Sequence, residues 1–174
     1  MVTGNASPTS QSVELRPILE DSFTKVLSSI GCENVYFEEL PPVTTAEALF
    51  NLLRVHQGDG QGILEGWFFR RMSIRHDATQ IAHNRYTQVH TMNITGVAHH
   101  NDFHKSYQYI QDKTEQLMWT LEKNKNFISS SIDTVNVNNA RFSFEQFGEL
   151  YLYRSETTFD VHRSVTEADG RSFV

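Results

Sequence analysis

The chain has 174 residues and a mass of 20.0 kDa, enough for one domain with a sizeable core. Hydrophobic residues make up 39% and aromatics 11%, 12 of them Phe, which excludes a disordered chain. The net charge of −6 excludes general attraction to nucleic acid or anionic membranes. A single cysteine, Cys32, excludes an internal disulfide and suits a reducing compartment.

The first stretch, "MVTGNASPTSQS", carries no positive charge and no apolar run, so it reads as a flexible arm over 1–12 and not as a signal peptide. No segment approaches the roughly 20 apolar residues of a membrane span. The expectation is therefore a soluble chain made in the cytosol, where the sequons at Asn5 and Asn93 carry no weight.

Residues 13–30 put Leu15, Leu19, Val26 and Ile30 on one side, with Ile18, Phe23 and Leu27 widening the stripe. That spacing predicts an amphipathic helix, with Ser12 as its N-cap and Gly31 at its C-terminal cap. Cys32, just beyond, reads as a small packing residue. "NVYFEEL" predicts a short strand stopped by Pro41-Pro42, and "TTAEALFNLLRVH" two or three helical turns capped by Thr45. "QGDGQG" is a break between units.

"ILEGWFFRRMSIR", rich in β-favouring aromatics, predicts a strand. A second long strand, Arg85–His99, follows a polar connection, and the two make a hairpin with a long tip. Asn101 or Asp102 then caps a long helix marked by Phe103, Tyr107, Ile110, Thr114, Leu117 and Leu121. "SIDTVNVNNARFSFEQF" contains one irregular strand. After Gly148 the closing strand sets Tyr151, Tyr153, Phe159 and Val161 on one parity, its tyrosines reading as core.

This order predicts an α+β fold: a small mixed β-sheet with helices packed mainly on one face, and a long amphipathic helix between the central strands and the C-terminal strand. The domain spans 13–165, with a C-terminal tail over 166–174.

The histidines invite a metal reading, because His100 and His104 would stand one turn apart on a helix and His99 adjoins them. Against it, the strand–helix junction falls between them and no "HExxH" arrangement is present. Nucleophilic catalysis has no G-x-S-x-G elbow, and Cys32 has no patterned histidine partner. "GDGQG" lacks the lysine of a phosphate-binding loop, and Glu38-Glu39 point to opposite faces of a strand. No catalytic residue and no cofactor is expected.

One electrostatic feature stands out. Arg70, Arg71, Arg75 and Arg85 gather on the hairpin strands of an otherwise acidic chain. They read either as charges guarding a sheet edge or as a subunit interface that meets an acidic surface on another copy. Nucleic-acid contact is a third reading, with too few lysines for phosphate tracking.

The layout itself resembles a known family. A tryptophan-bearing strand ("EGWFFRR") is followed by an arginine-led strand ("RYTQVHTMNITGVAHHND"). A long helix ("FHKSYQYIQDKTEQLMWTL") and a glycine-led closing strand ("FGELYLYRSETTFDVHRSV") complete it. This pattern, over 13–165, is similar to the tail terminator (tail completion or neck) proteins of long-tailed bacteriophages.

The resemblance implies a non-enzymatic virion protein whose copies form a homohexameric ring at the end of the tail tube. It implies the tail tube protein and the head connector as partners, DNA passing through the lumen without specific binding, and no membrane. It implies a place at the tail–head junction of the virion, after assembly in the host cytoplasm. Ring contacts are implied at the Arg70–Arg85 region, the N-terminal arm and the tail. Three alternatives stay open: another neck or connector protein, a small metal-dependent enzyme using His99, His100 and His104, and an interaction module of no virion.

Overall fold

A computed structural model describes residues 15–38, 45–55, 64–77, 85–100, 103–123, 133–147 and 150–166. In chain order they form helix α1 (Leu15–Ser29), strand β1 (Val35–Tyr36), helix α2 (Ala46–Leu52), strand β2 (Arg54–Val55) and the long strands β3 (Leu64–Asp77) and β4 (Arg85–His99). Helix α3 (Phe103–Lys123) and strands β5 (Thr134–Phe147) and β6 (Leu150–Thr166) complete the fold.

The chain is α+β, as its sequence pattern predicts. The strands lie in the order β1-β3-β4-β6-β5, with β2 also on the outer side of β3. β1 runs parallel to β3 and every other pairing is antiparallel, so the sheet is mixed. From β4 the chain crosses through α3 to the far edge, forms β5, and returns through β6 into the gap between β5 and β4.

Helices α1 and α3 cover one face. Leucines and aromatics at three- and four-residue steps turn a single stripe of each helix to the sheet, so Leu19, Phe23, Val26 and Leu27 of α1 and Ile110, Leu117 and Leu121 of α3 are buried. From the sheet, Trp67, Phe69, Met92, Ile94, Phe159 and Val161 meet them. Phe23 is the hub, its ring 4.6 Å from Phe69 and 5.1 Å from Phe159. Each such fully buried side chain contributes roughly 1.5–3 kcal/mol of transfer free energy. A smaller core on the opposite face packs Leu53 against Leu64, Phe68, Val97 and Leu152, with Leu52 of α2 beside it.

The end of α1 follows its sequence. Gly31 takes φ 74°, the left-handed region, its N–H donates to Ser28 O at 3.0 Å, and Cys32 N–H donates to Leu27 O at 2.9 Å. This double closure satisfies two terminal carbonyls, and only glycine adopts it without strain. Cys32 is buried as a packing residue, its thiol pushed up by burial and by the nearby Glu65 carboxylate. At α2, Ala48 N–H donates to Thr45 Oγ1 at 3.2 Å, the cap the sequence predicts.

One stretch departs from its predicted form. "TTAEALFNLLRVH" reads as helical to its end, but the helix stops at Leu52 and Arg54–Val55 pair with Leu64–Glu65 instead. Leu53 turns into the smaller core, and that burial outweighs another helical turn. β5, expected as an irregular strand, spans 14 residues with its irregularity between Val137 and Asn139. The predicted caps at Ser12, Asn101 and Asp102, the "QGDGQG" break, the hairpin tip, the N-terminal arm and the residues after Thr166 lie outside the described residues.

Candidate functional site

The two outer edges of the sheet differ from the rest of its surface. β3 is bordered on its outer side by β2 at Leu64–Glu65 and by β1 at Trp67–Phe68. Beyond Phe68 no strand lies against that side among the described residues, and Arg71–Asp77 are exposed on both faces. At the far edge, β5 is paired only with β6 among the described residues, and Arg141–Gln146 are likewise exposed on both faces.

Both edges carry apolar side chains into solvent. Met72 and Ile74 on β3 are 52% and 45% exposed, and Phe142 and Phe144 on β5 are 42% and 60% exposed. Clustered large apolar side chains at a strand edge mark a contact surface, whereas scattered ones need no explanation. Phe144 continues an aromatic row from Tyr153, 6.2 Å away, to Tyr107 of α3, 5.7 Å further.

Of the four arginines singled out in the sequence, Arg70, Arg71 and Arg75 line the free part of the β3 edge. Arg70 is half-buried, while Arg71 and Arg75 are exposed, and Arg75 reaches across to Asp160 at 3.5 Å. Arg70 and Arg71 also flank a cavity of about 240 Å³ between α1 and the sheet, floored by Phe69 and Met92. Arg85 opens β4, in register with Thr166. Three of the four thus share one edge.

Beside them stands His90, buried, with neither ring nitrogen hydrogen-bonded. Burial first, and then the positive charges of Arg71, Arg163 and His76, together lower its pKa to about 4. Arg163 thus joins Arg71 and His76 around His90, although its own sequence neighbourhood gave no sign of it.

The other histidines separate. His99 Nδ1 lies 2.8 Å from Tyr151 O, His100 is buried, and His104 is exposed on α3. The His100 backbone is tied to Ser106, whose hydroxyl accepts from its N–H at 2.7 Å and donates to its carbonyl at 3.1 Å. Among the described residues, no three His, Cys, Asp or Glu side chains come together as metal ligands.

The sheet face opposite α1 and α3 is a polar ladder. Thr91 Oγ1 donates to Asp160 Oδ1 at 2.7 Å, Thr95 Oγ1 donates to Asn93 Oδ1 at 3.0 Å, and Arg154 sits between Glu145 and Glu156. Charges of both signs alternate across it.

Comparison with known protein families and with curated proteins finds no match to this chain. No helix among the described residues is long and apolar enough to cross a membrane.

Proposed function

We propose that this protein is a structural virion component, a tail terminator whose copies close into a ring at the end of the tail tube and join it to the head connector. The observation that carries this reading is the pair of unlike free edges at opposite sides of one sheet, each bearing exposed apolar residues. Contacts between two different surfaces of identical chains are heterologous, and such contacts close into rings when the rotation between copies allows it. The arginine edge of β3 is one half of the subunit interface. The mixed-sign polar ladder supports a lumen wall that DNA passes without adhering, since phosphate binding grows with each neutralising cation.

Light scattering after size exclusion, on the protein alone and mixed with purified tail tubes, tests this. The expected result is a particle of about six chains of 20.0 kDa, either free or formed on the tube end, with tube elongation stopped. A protein that stays single under both conditions, or that forms a tight, salt-sensitive complex with DNA, overturns it.

A further inference from the structure

We infer that copies of this chain join by strand pairing, with Arg141–Glu145 of β5 in one copy lying antiparallel against Ser73–Asp77 of β3 in the next. This rests on the ring-forming reading above and names the partner of each free edge.

Direction permits it. β3, β4, β6 and β5 alternate in direction across the sheet, so the two edge strands run opposite ways. A neighbour placed alongside in the same orientation therefore presents its β3 antiparallel to β5. Both segments are exposed on both faces, so pairing displaces no buried side chain of either.

Steric blocking selects the offset. Through the sheet, Phe142 is level with Ser155, Gly96 and Trp67, and Val135 is level with Val161, His90 and Ile74. Copies set side by side without offset would drive Phe142 and its neighbours into β1 and β2, which already occupy that level of the β3 edge. The incoming strand must slide toward Asp77.

Side-chain chemistry then chooses the register. Ile74 and Phe144 both project on the face that α1 and α3 cover, because their strand partners His90 and Tyr153 do. Setting these two opposite one another places Asp77 opposite Arg141, Arg75 opposite Ser143 and Ser73 opposite Glu145. Two residues back, Arg75 would face Arg141, and like charges directly opposite destabilise a strand pair. The favoured register offsets successive copies by the 8 residues that separate Ala98 from His90 on the bulge-free β4, about 27 Å at strand rise. Strands of the closed assembly then run steeply oblique to its axis, as barrel closure requires of tilted strands.

Cysteine cross-linking tests the pairing. Directly opposite residues of an antiparallel pair have Cα atoms roughly 4.5–5.5 Å apart, within disulfide reach. Ile74→Cys and Phe144→Cys variants, mixed and oxidised, should give a two-chain band absent from either variant alone, and the double variant should give a ladder of higher multiples. A band from Phe144→Cys alone, or from Ile74→Cys alone, overturns the pairing in favour of a two-fold contact. Ring-sized particles without the mixed band overturn the pairing and leave the ring reading intact, whereas a single chain with and without tail tubes overturns both. Amide exchange on the unaltered protein gives an independent reading: Arg141–Glu145 and Ser73–Asp77 should slow on assembly, and unchanged rates in both segments overturn the pairing.

Discussion

The Tyr109 hydroxyl of α3 donates a hydrogen bond to Oε2 of Glu65, a carboxylate with no solvent exposure near the start of β3. The other oxygen, Oε1, accepts the Glu33 backbone N–H at 2.7 Å, and Trp67 Nε1 lies 3.4 Å from Oε2. One buried acid thereby ties the segment after α1 and the first turns of α3 to the sheet. Burying a charge is tolerable only when hydrogen bonds replace its water, which these donors do.

Removing the Tyr109 hydroxyl should expose that dependence. Tyr109→Phe keeps the ring but removes one donor from a buried carboxylate oxygen, and a loss of roughly 1–3 kcal/mol is expected. Urea unfolding measures it. Equal midpoints for the variant and the parent would show that the bond contributes nothing.

Stability should fall with acidity through His90. The ring titrates near 4 in the folded chain and near 6.5 unfolded, so the unfolded state binds the extra proton between those values. Stability is then fully present above about pH 6.5 and declines as pH falls toward 4, by a few kcal/mol at most. His90→Leu should flatten this part of the stability curve, and a slope identical to the parent's would refute the assignment.

Gly96 is held by the indole across the strand pair. A Cβ there would stand 2.5 Å from Trp67 Cζ3 and 2.8 Å from two further ring carbons. Trp67 is fully buried and cannot swing away, so Gly96→Ala should destabilise by about 1–3 kcal/mol through overpacking. Thermal unfolding with near-ultraviolet circular dichroism should show a lowered midpoint and a disturbed tryptophan signal.

Two apolar residues of α3 should behave oppositely. Leu117 is fully buried, and Leu117→Ala should cost about 2–5 kcal/mol. Trp119 is 60% exposed, with Lys123 Nζ 4.1 Å from its ring centre, and Trp119→Ala should stay within about 0.5 kcal/mol. Chemical denaturation of the pair decides it, since comparable losses would mean that Trp119 packs against something.

Cys32 should ignore thiol reagents in the folded protein. Burial and the Glu65 charge both hold the thiol protonated, and the thiolate is the reactive form. Labelling with an aromatic disulfide should proceed only at the rate of unfolding, and fast labelling under native conditions would contradict this.

Much of the architecture was legible because local patterns carried it. The heptad-like spacing from Phe103 to Leu121 matches the observed α3, Arg85–His99 matches β4 end for end, and Gly31 closes α1 as its position suggested. The edge residues were less legible. In "ARFSFEQF" the aromatics at Phe142 and Phe144 alternate with polar residues in the period of a half-buried strand. Nothing in that pattern distinguishes a side chain turned to its own core from one turned to solvent.

What the amino-acid order determined by itself was the kind of each long element and the apolar stripe of each long helix, because helical and strand periodicities act over a few neighbours. Only the tertiary structure decided where those elements lie across the sheet. By inserting β6 between β4 and β5, the fold leaves Arg141–Glu145 at one edge and gathers Arg71, Arg163 and His76 around His90 at one end. Side chains more than 60 positions apart in sequence meet through strand order, which rests on the summed burial of the whole core and is written in no single stretch.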